Sequence, residues 1–510
     1  VLVLSIGALV LLAVSAVVPK RTWPGIYPLL SLATGAASLA GSIWQWFNIP
    51  SGTPFLIGGQ VAFDHFAALF SMLISIAVML SSIASVSYLR REDLDGVEAY
   101  VLMLMAATGA ALMVESASLI LLFLGLEIMS IALYVMAAYH RRRSQSGEAG
   151  LKYFLLGSFS SAIFLYGVAL VYGATGTIQM VQIDQFLKTN ILANRGVLLG
   201  GMVLLIVGLG FKVAAVPFHF WTPDVYQGSP TPFTGYMAAV AKAAGFAGLL
   251  RVLVGALGAV QTDWRPIIWI LTVLTLVVGS VLAIASRDLK RMFAYSSISQ
   301  AGYVLVGVQA GTATGTSAAL FYLFTYTFIV IGSFAVVDVI QGVGEKRTDL
   351  AAVRGLGRRQ PLLAAAMLVL LLAQAGVPFT SGFLGKFYVI QAAVDRGQYY
   401  LAVIAMVAAA VAAFFYLRVA LLMYTSVPAA GAVSEDALEA GVYSAGLDPI
   451  PSLDGTTAVA TATFLEAPPA EVTFVPSGVV LVLLISVAFT IAAGVSSFAV
   501  DFAKAATSAI

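Results

Sequence analysis

The chain has 510 residues, of which 60% are hydrophobic and 10% charged, and its mean hydropathy is +0.98. This composition is typical of a polytopic membrane protein and excludes a soluble domain of this length. The net charge of +2 gives no indication of a nucleic acid partner. Without cysteine the chain cannot bind an iron–sulfur cluster through thiolates, and its three histidines lie in separate segments. No redox cofactor and no metal is therefore expected in this chain.

Apolar stretches of bilayer length predict about fourteen transmembrane helices, and hence an all-α fold. The first stretch is interpreted as a spanning helix rather than a signal peptide, because its positive charges follow the apolar run. Prolines interrupt the seventh and twelfth spans. The predicted spans are 1–18, 26–46, 62–89, 97–114, 117–139, 149–172, 197–226, 231–257, 264–285, 292–310, 314–341, 361–394, 398–425 and 475–500.

Lysine and arginine are distributed unevenly between the two sides of the predicted bilayer. With the N-terminus outside, the inner loops hold fifteen of them and the outer side holds five. Basic loops stay on the cytoplasmic side, so both termini are predicted to face the periplasm. The bilayer is expected to be a bacterial inner (plasma) membrane, and an organellar inner membrane or a thylakoid membrane stays open as an alternative.

The stretch 197–227 carries a charge where a spanning helix should be apolar. Lys212 interrupts the apolar run, and Pro217 follows five residues later. Proline removes a backbone donor and clashes with the preceding turn, so the helix is expected to break near Pro217. A charge beside broken backbone at this depth is typical of an ion path. The alternative is a lysine that extends to the surface beside an ordinary proline kink.

A second break is predicted at Pro378, where Val377-Pro378-Phe379 repeats the triplet Val216-Pro217-Phe218. Four unbroken spans separate the two breaks, so equivalent helices cross in opposite directions, as in inverted-repeat transporters. This spacing predicts an N-terminal unit, two five-helix repeats (spans 4–8 and 9–13) and a C-terminal span. The segment between the last two spans has seven acids and no basic residue, which predicts a flexible inner loop, with a docking or gating element as the alternative. The predicted boundaries are 1–96, 97–257, 258–425, 426–474 and 475–510.

Buried charges supply the candidate site. Glu127 lies at the centre of span 5, where an isolated charge costs several kcal/mol, so it needs a partner. Lys152 on span 6 is the nearest candidate in sequence. A competing interpretation pairs Lys152 with Glu148, one helical turn earlier, which would leave Glu127 unpaired.

Further lysines lie deep in their spans and are predicted to act as proton stations. Lys212, Lys242 and Lys386 fit this role because a nearby carboxylate can switch a buried lysine between holding and releasing a proton. His219 is either a bridge between them or a hydrogen-bonded residue at the break. Charges nearer span ends are expected to reach the surface, namely Arg251, Arg418, Asp64 and Asp338.

Five runs resemble one family of membrane subunits over approximately residues 60–425. They are LGLEIMSIALYVMAAY, GEAGLKYFLLGSFSSAIFLYG, FKVAAVPFHFWTPDVYQGSPTP, DLKRMFAYSSISQAGYVLVG and AGVPFTSGFLGKFYVIQAA. In this order they resemble subunit N of the proton-translocating NADH-quinone oxidoreductase, respiratory complex I. This is one of its antiporter-like subunits, which also resemble the large subunits of multisubunit sodium/proton antiporters. Lys386 favours subunit N, because the sister subunit M has a glutamate there.

The resemblance implies fourteen helices with two inverted five-helix units, helices 4–8 and 9–13, and broken helices 7 and 12. It also implies that Glu127 and Lys152 form a modulating ion pair and that Lys212 is the central switch. Lys242 would link to the output side, and Lys386 would serve the second half-channel.

The resemblance also implies what surrounds this chain. Quinone reduction elsewhere would drive protons from the inner to the outer side. The expected partners are subunit M, the small subunits K and J, and the lipid bilayer. NADH, FMN, iron–sulfur clusters and quinone would bind to partner subunits. Two alternatives are a sodium/proton antiporter subunit that uses the same lysines and a scaffold that transports nothing.

Overall fold

The computed structural model describes residues 1–17, 25–49, 55–190, 195–425, 475–496 and 498–507. The predicted acidic loop 426–474 lies outside the described residues. Helices dominate the described ranges. They are α1 (Leu2–Val17), α2 (Ile26–Asn48), α3 (His65–Arg91), α4 (Val97–Val114), α5 (Leu119–Ala137), α6 (Ser144–Thr175), α7 (Met180–Thr189), α8 (Arg195–Lys212), α9 (Trp221–Gly228), α10 (Thr231–Leu250), α11 (Gln261–Ala285), α12 (Leu289–Ala310), α13 (Ala313–Gln341), α14 (Leu356–Arg359), α15 (Pro361–Ala375), α16 (Ser381–Asp395), α17 (Tyr399–Tyr424), α18 (Ser477–Val495) and α19 (Phe498–Thr507).

The predicted spans are confirmed within these ranges. Twelve of the fourteen match one helix each, and the seventh and twelfth each match a pair, α8 with α9 and α15 with α16. Eleven of the described helices are long and apolar enough to cross a membrane. A π-helical turn, Arg251–Ala256, extends α10 at its C-terminal end.

Some small elements were not predicted. Two antiparallel strands, β1 (Phe55–Ile57) and β2 (Val61–Phe63), form a hairpin just before α3, with Phe55 opposite Phe63. Strands of three residues are too short to produce a recognisable alternation of apolar and polar residues. The short helices α7 and α19 were missed because each has only 10 residues, fewer than a bilayer span needs.

Helices α10 and α13 form the centre of the bundle. All 20 residues of α10 are buried, and α13 packs against α10, α12, α15, α16 and α18. A helix that is apolar all round belongs inside a bundle rather than against lipid or water. Lys242, on α10, is thus held at the centre of the protein.

Close glycine contacts recur at the first helix pair of each predicted repeat. A Cβ at Gly109 on α4 would lie 2.3 Å from the Met129 nitrogen on α5, and a Cβ at Gly279 on α11 would lie 2.6 Å from the Ser299 nitrogen on α12. Real Cβ contacts are never this short, so glycine is required at both places. The shared contact supports a repeat, whose residue bounds stay a prediction.

Three expectations about exposed charges are wrong. Arg251 does not reach the surface: its guanidinium is buried and donates to both Asp64 oxygens, at 2.7 and 2.9 Å. Asp64 is equally buried and also caps α3 by accepting from the Ala67 nitrogen. Asp338, expected to be wet, is buried and accepts from Arg91 at 2.7 Å. Neighbouring helices cover these span ends, which a single span's sequence does not reveal.

We predict that Asp64→Ala strongly destabilises the protein, because it leaves the buried guanidinium of Arg251 without its carboxylate partner. Loss of one partner of a buried ion pair costs about 3–5 kcal/mol. The thermal unfolding midpoint of the detergent-solubilised protein should therefore fall by several degrees. Arg142→Ala is the control, because its pair with Asp93 is mostly exposed, and such pairs contribute about 1 kcal/mol or less. Equal midpoints for the two variants would contradict the prediction.

Candidate functional site

The first predicted break is confirmed. Helix α8 ends at Lys212 and α9 begins at Trp221, with Ala214 between them at a φ of 60°. The Val216 nitrogen, which has lost its helical acceptor, donates to Thr275 Oγ1 on α11 at 2.9 Å. Backbone opened at this depth therefore finds a partner inside the protein, as a bilayer requires.

The second predicted break is also confirmed. Helix α15 ends at Ala375, and α16 begins at Ser381. Gly376 between them has a φ of 90°, a region that favours glycine. A Cβ there would also lie 2.9 Å from Lys386 Cδ, so this glycine lets the lysine side chain approach the break.

Lys212 is buried among hydroxyl and aromatic groups. Its ammonium donates to Ser130 Oγ at 2.8 Å and to the Tyr153 hydroxyl at 3.4 Å. It lies 5.3 Å from the centre of the Tyr153 ring and 5.9 Å from that of Tyr134, within the range of a cation–π interaction. Its aliphatic stem packs against Gly245 of α10, three residues along the chain from Lys242. The first two predicted stations are thus on contacting elements.

Lys242 and Lys386 are also buried against uncharged acceptors. Lys242 donates to the Ser297 carbonyl and to Ser297 Oγ, the latter at 2.6 Å. Lys386 donates to the carbonyls of Gln374 and Ala375, at 2.8 and 2.9 Å. These carbonyls close the last turn of α15, where intrahelical donors run out. Lys386 therefore joins the two halves of the second broken helix.

A polar chain connects the surroundings of Lys242 and Lys386. Ser297 contacts Lys242, and its neighbour Ser296 donates to the Gln374 side-chain oxygen at 3.3 Å. The Gln374 carbonyl is in turn an acceptor of Lys386. The chain is flanked by further buried hydrogen-bonding side chains, namely Gln300, Tyr322, Tyr326, Ser333 and Tyr416.

The three lysines share one electrostatic property. Lys212, Lys242 and Lys386 are 4, 4 and 5% exposed. In the part of the chain that the structure describes, none of their ammonium groups lies within 4.0 Å of a carboxylate. Lys152, Lys188 and Lys290, in contrast, each form an ion pair with a carboxylate. Each ammonium instead donates to hydroxyl or carbonyl oxygens and lies over an aromatic ring.

The predicted pair of Glu127 and Lys152 is not formed. Lys152 contacts Glu148 at 2.6 Å and Asp224 at 2.7 Å and is 41% exposed, so the competing interpretation with Glu148 is the one confirmed. Glu127 lies instead three residues before Ser130 on α5, one helical turn from the hydroxyl that Lys212 contacts. Its buried Oε1 has no hydrogen-bond partner among the described residues. The error arose because nearness in sequence was taken for nearness in space.

His219 is buried beside the first break. Its ring lies against that of Phe220, with the ring centroids 4.7 Å apart. Within the described ranges no hydrogen bond joins it to a lysine, and its Nδ1 has no partner. This placement favours the simpler of the two predicted alternatives, a residue that belongs to the break, and its proton role stays a prediction.

Sequence reasoning missed several residues of the site. Asp224 on α9 joins Lys152 to Arg291 on α12, which it contacts at 2.9 Å. The position of Asp224, an acid shortly after a predicted helix break, could have identified it from the sequence. Nothing in the sequence marks Ser130, Tyr153 or Gln374, because their importance lies in contacts that only the folded chain creates.

A second charged cluster lies at one end of the bundle, where four connections between spans meet. Glu345, in the turn after α13, accepts from Arg143, from Lys290 at 3.1 Å and from the Thr231 nitrogen at 3.0 Å. The neighbouring Gly344 nitrogen donates to the Glu92 carboxylate. Lys290, expected in a loop, is fully buried. The cluster ties together elements of both predicted repeats.

Comparison with known proteins places the chain among antiporter-like membrane subunits. Residues 116–412 match the family described as NADH:quinone oxidoreductase/Mrp antiporter, transmembrane. NADH-quinone oxidoreductase subunit N of Trichlorobacter lovleyi is 43% identical over 422 residues, covering 83% of this chain and 86% of the relative. A chain of respiratory complex I from Thermus thermophilus is 36% identical, with a TM-score of 0.71 and coverage of 84% and 90%.

The chain belongs to the NADH-quinone oxidoreductase subunit N family. The recognition made from the five sequence runs, the antiporter-like fold and the assignment to this proton-translocating oxidoreductase are confirmed. A chain of the Mrp complex from Dietzia sp. has a TM-score of 0.81 but only 19% identity, covering 99% of this chain and 96% of that one, so it shares the fold alone.

The Glu345 cluster predicts a stability that depends on pH. Burial raises the pKa of Glu345, but Lys290 and Arg143 outweigh it and lower the pKa from 4.5 to about 2. A depressed carboxyl pKa gives stability that is present above pH 4.5 and lost as the pH falls toward 2. At neutral pH Glu345→Gln should therefore lower the thermal unfolding midpoint, and the difference from wild type should shrink below pH 4.5.

The control for this experiment is Asp93→Asn, because Asp93 is largely exposed in its pair with Arg142. This variant should leave the midpoint nearly unchanged over the same range. A Glu345→Gln deficit that is as large in acid as at neutral pH would show that the Glu345 charge is not what holds the turn.

Proposed function

We propose that this chain carries protons across a bacterial inner membrane through Lys212, Lys242 and Lys386, as a membrane-arm subunit of respiratory complex I. The observation that carries the proposal is the set of three buried ammonium groups whose hydrogen-bond acceptors among the described residues are neutral. Such a lysine can release or accept a proton without leaving a buried carboxylate unpaired. Lysines at depth are costly and mark functional paths.

The groups between the lysines support a proton path. Serine and tyrosine hydroxyls both donate and accept hydrogen bonds, so they can reorient as a proton passes. Ser130 and Tyr153 contact Lys212, and Ser296 and Ser297 lie between Lys242 and Gln374. Two broken helices open backbone carbonyls along the same path, as in other transporters.

The acids take distinct roles in this proposal. Glu127, one helical turn from the Ser130 hydroxyl that Lys212 contacts, is the proposed charge that modulates Lys212, in place of the predicted pair with Lys152. Lys152 acts instead through Asp224, which a second cation, Arg291, also holds. If Lys152 moved from Asp224 toward Glu148, the Asp224 carboxylate would be less neutralised. Asp224 lies on α9, the half-helix that follows Lys212.

The driving reaction takes place outside this chain. Quinone reduction by NADH, through FMN and iron–sulfur clusters bound to partner subunits, would move the buried charges. The proposed membrane partners are the antiporter-like subunit M and the small subunits K and J. The Thermus thermophilus relative, which belongs to a respiratory complex I, supports an assembly of this kind.

Protons are proposed to move from the cytoplasm to the periplasm, with both termini of the chain on the periplasmic side. Basic residues from three connections, Arg91, Arg143 and Lys290, lie at one end of the bundle. Basic loops mark the cytoplasmic side, so that end is proposed to face inward.

We predict that Lys212→Met reduces proton uptake by inverted membrane vesicles at least about tenfold per assembled complex. Methionine fills the buried space but cannot carry a proton. NADH-driven acidification is measured with a pH-sensitive dye, and the amount of complex is measured separately. Arg418→Met is the control, because Arg418 is exposed and contacts only the Ile284 carbonyl among the described residues. Normal uptake by Lys212→Met would refute the proposal. Uptake driven by a sodium gradient without NADH would favour an antiporter.

We also predict which acid serves Lys212. Glu127→Gln should lower proton uptake in the wild-type background but add little to Lys212→Met, since interacting residues are not additive. The same Glu127→Gln change combined with Lys152→Met should give the product of the two single effects. Strong coupling of Glu127 to Lys152 instead would restore the pair inferred from sequence.

A further inference from the structure

Trp221 connects the two halves of the first broken helix. It is the first residue of α9, and its indole Nε1 donates to the Phe211 carbonyl, next to the end of α8, at 3.0 Å. That carbonyl also accepts from the Ala214 nitrogen at 3.1 Å. Backbone at the end of a helix lacks intrahelical partners, so side chains are recruited to it. One side chain therefore fastens the second half of the broken helix to the first.

The same indole ring lies on Tyr153 of α6. The two rings are stacked, with centroids 4.4 Å apart and an angle of 7° between their planes. The Tyr153 hydroxyl is an acceptor of Lys212, and its ring lies under the ammonium. Both rings are buried, so the stack cannot open without leaving a space. The position of Trp221 thus sets the position of an acceptor of Lys212.

Trp221 also lies on the element that carries Asp224. Asp224 is three residues further along α9 and is held by Lys152 and Arg291. A short helix moves as a unit, so a change in the ion pairs of Asp224 displaces Trp221 as well. The displacement would pass to Tyr153 through the stacked rings and from there to Lys212.

We propose that Trp221 is a positioning residue that transmits the state of the Lys152–Asp224 pair to Lys212 through the ring of Tyr153. The inference rests on the proposed role of Lys212 as a proton station. Trp221 does not itself carry a proton. It determines whether the Tyr153 hydroxyl faces the ammonium.

Trp264 offers a matched comparison within the same chain. It is fully buried, and its indole donates to the Leu257 carbonyl at 3.1 Å, near the start of α11. Within the described ranges it has no hydrogen bond to a lysine. Replacing Trp264 removes the same ring and the same kind of hydrogen bond, so it measures what packing alone contributes.

The test measures proton uptake by inverted vesicles per assembled complex for Trp221→Leu, Trp221→Phe and Trp264→Leu. Trp221→Leu should lower uptake about threefold to tenfold, the size of effect expected from one lost aromatic pair. Trp221→Phe keeps a ring for Tyr153 and should recover most of the uptake. Trp264→Leu should lower the amount of complex but not the uptake of each complex. If Trp221→Leu does not assemble, Trp221→Met replaces it.

A double-mutant cycle with Tyr153→Phe tests the transmission. Tyr153→Phe keeps the stack but removes the hydroxyl that Lys212 contacts, so adding Trp221→Leu should then have little further effect. An equal effect of Trp221→Leu in both backgrounds would overturn the inference. So would unchanged uptake in Trp221→Leu while Lys212→Met is inactive. Normal uptake in Lys212→Met would instead remove the proposed function itself.

Discussion

A bilayer offers no hydrogen-bond partner, so every polar group opened at depth must find one inside the protein. Two proline-containing breaks, after α8 and after α15, create such groups in the middle of the bundle. Thr275 accepts from the backbone nitrogen freed at the first break, and Lys386 donates to two carbonyls at the second. At the second break the opened backbone and the buried lysine therefore stabilise each other, because the ammonium supplies donors and the carbonyls supply acceptors.

The two repeats use this arrangement differently. In the first, Lys212 is the last residue of the leading half-helix, and Trp221 of the following half joins the two halves. In the second, Lys386 lies on the following half-helix and makes that connection itself. A change in the second break therefore acts on a lysine directly. A change in the first reaches its lysine only through neighbouring side chains.

The sequence predicted the features that stand out against an apolar background. A charge or a proline inside a bilayer-length run is visible in one dimension, which is why the spans, both breaks and the depth of Lys212 and Lys386 were predicted. Partners from remote parts of the chain were not predicted: Lys152 and Asp224 are 72 residues apart, and Arg251 and Asp64 are 187 apart. Position within one span also gave no indication that neighbouring helices bury Arg251.

Helix α12 connects the two repeats chemically. Its first turn holds Arg291 against Asp224 of α9, and its middle holds Ser297 against Lys242 and Ser296 against Gln374. Lys290 beside Arg291 reaches Glu345, in the turn that follows α13. A charge that moves in the first repeat therefore meets an element that also contacts Gln374 and Glu345 in the second. Since a close-packed interior transmits displacement rather than absorbing it, a displacement at Asp224 would reach Gln374 through α12.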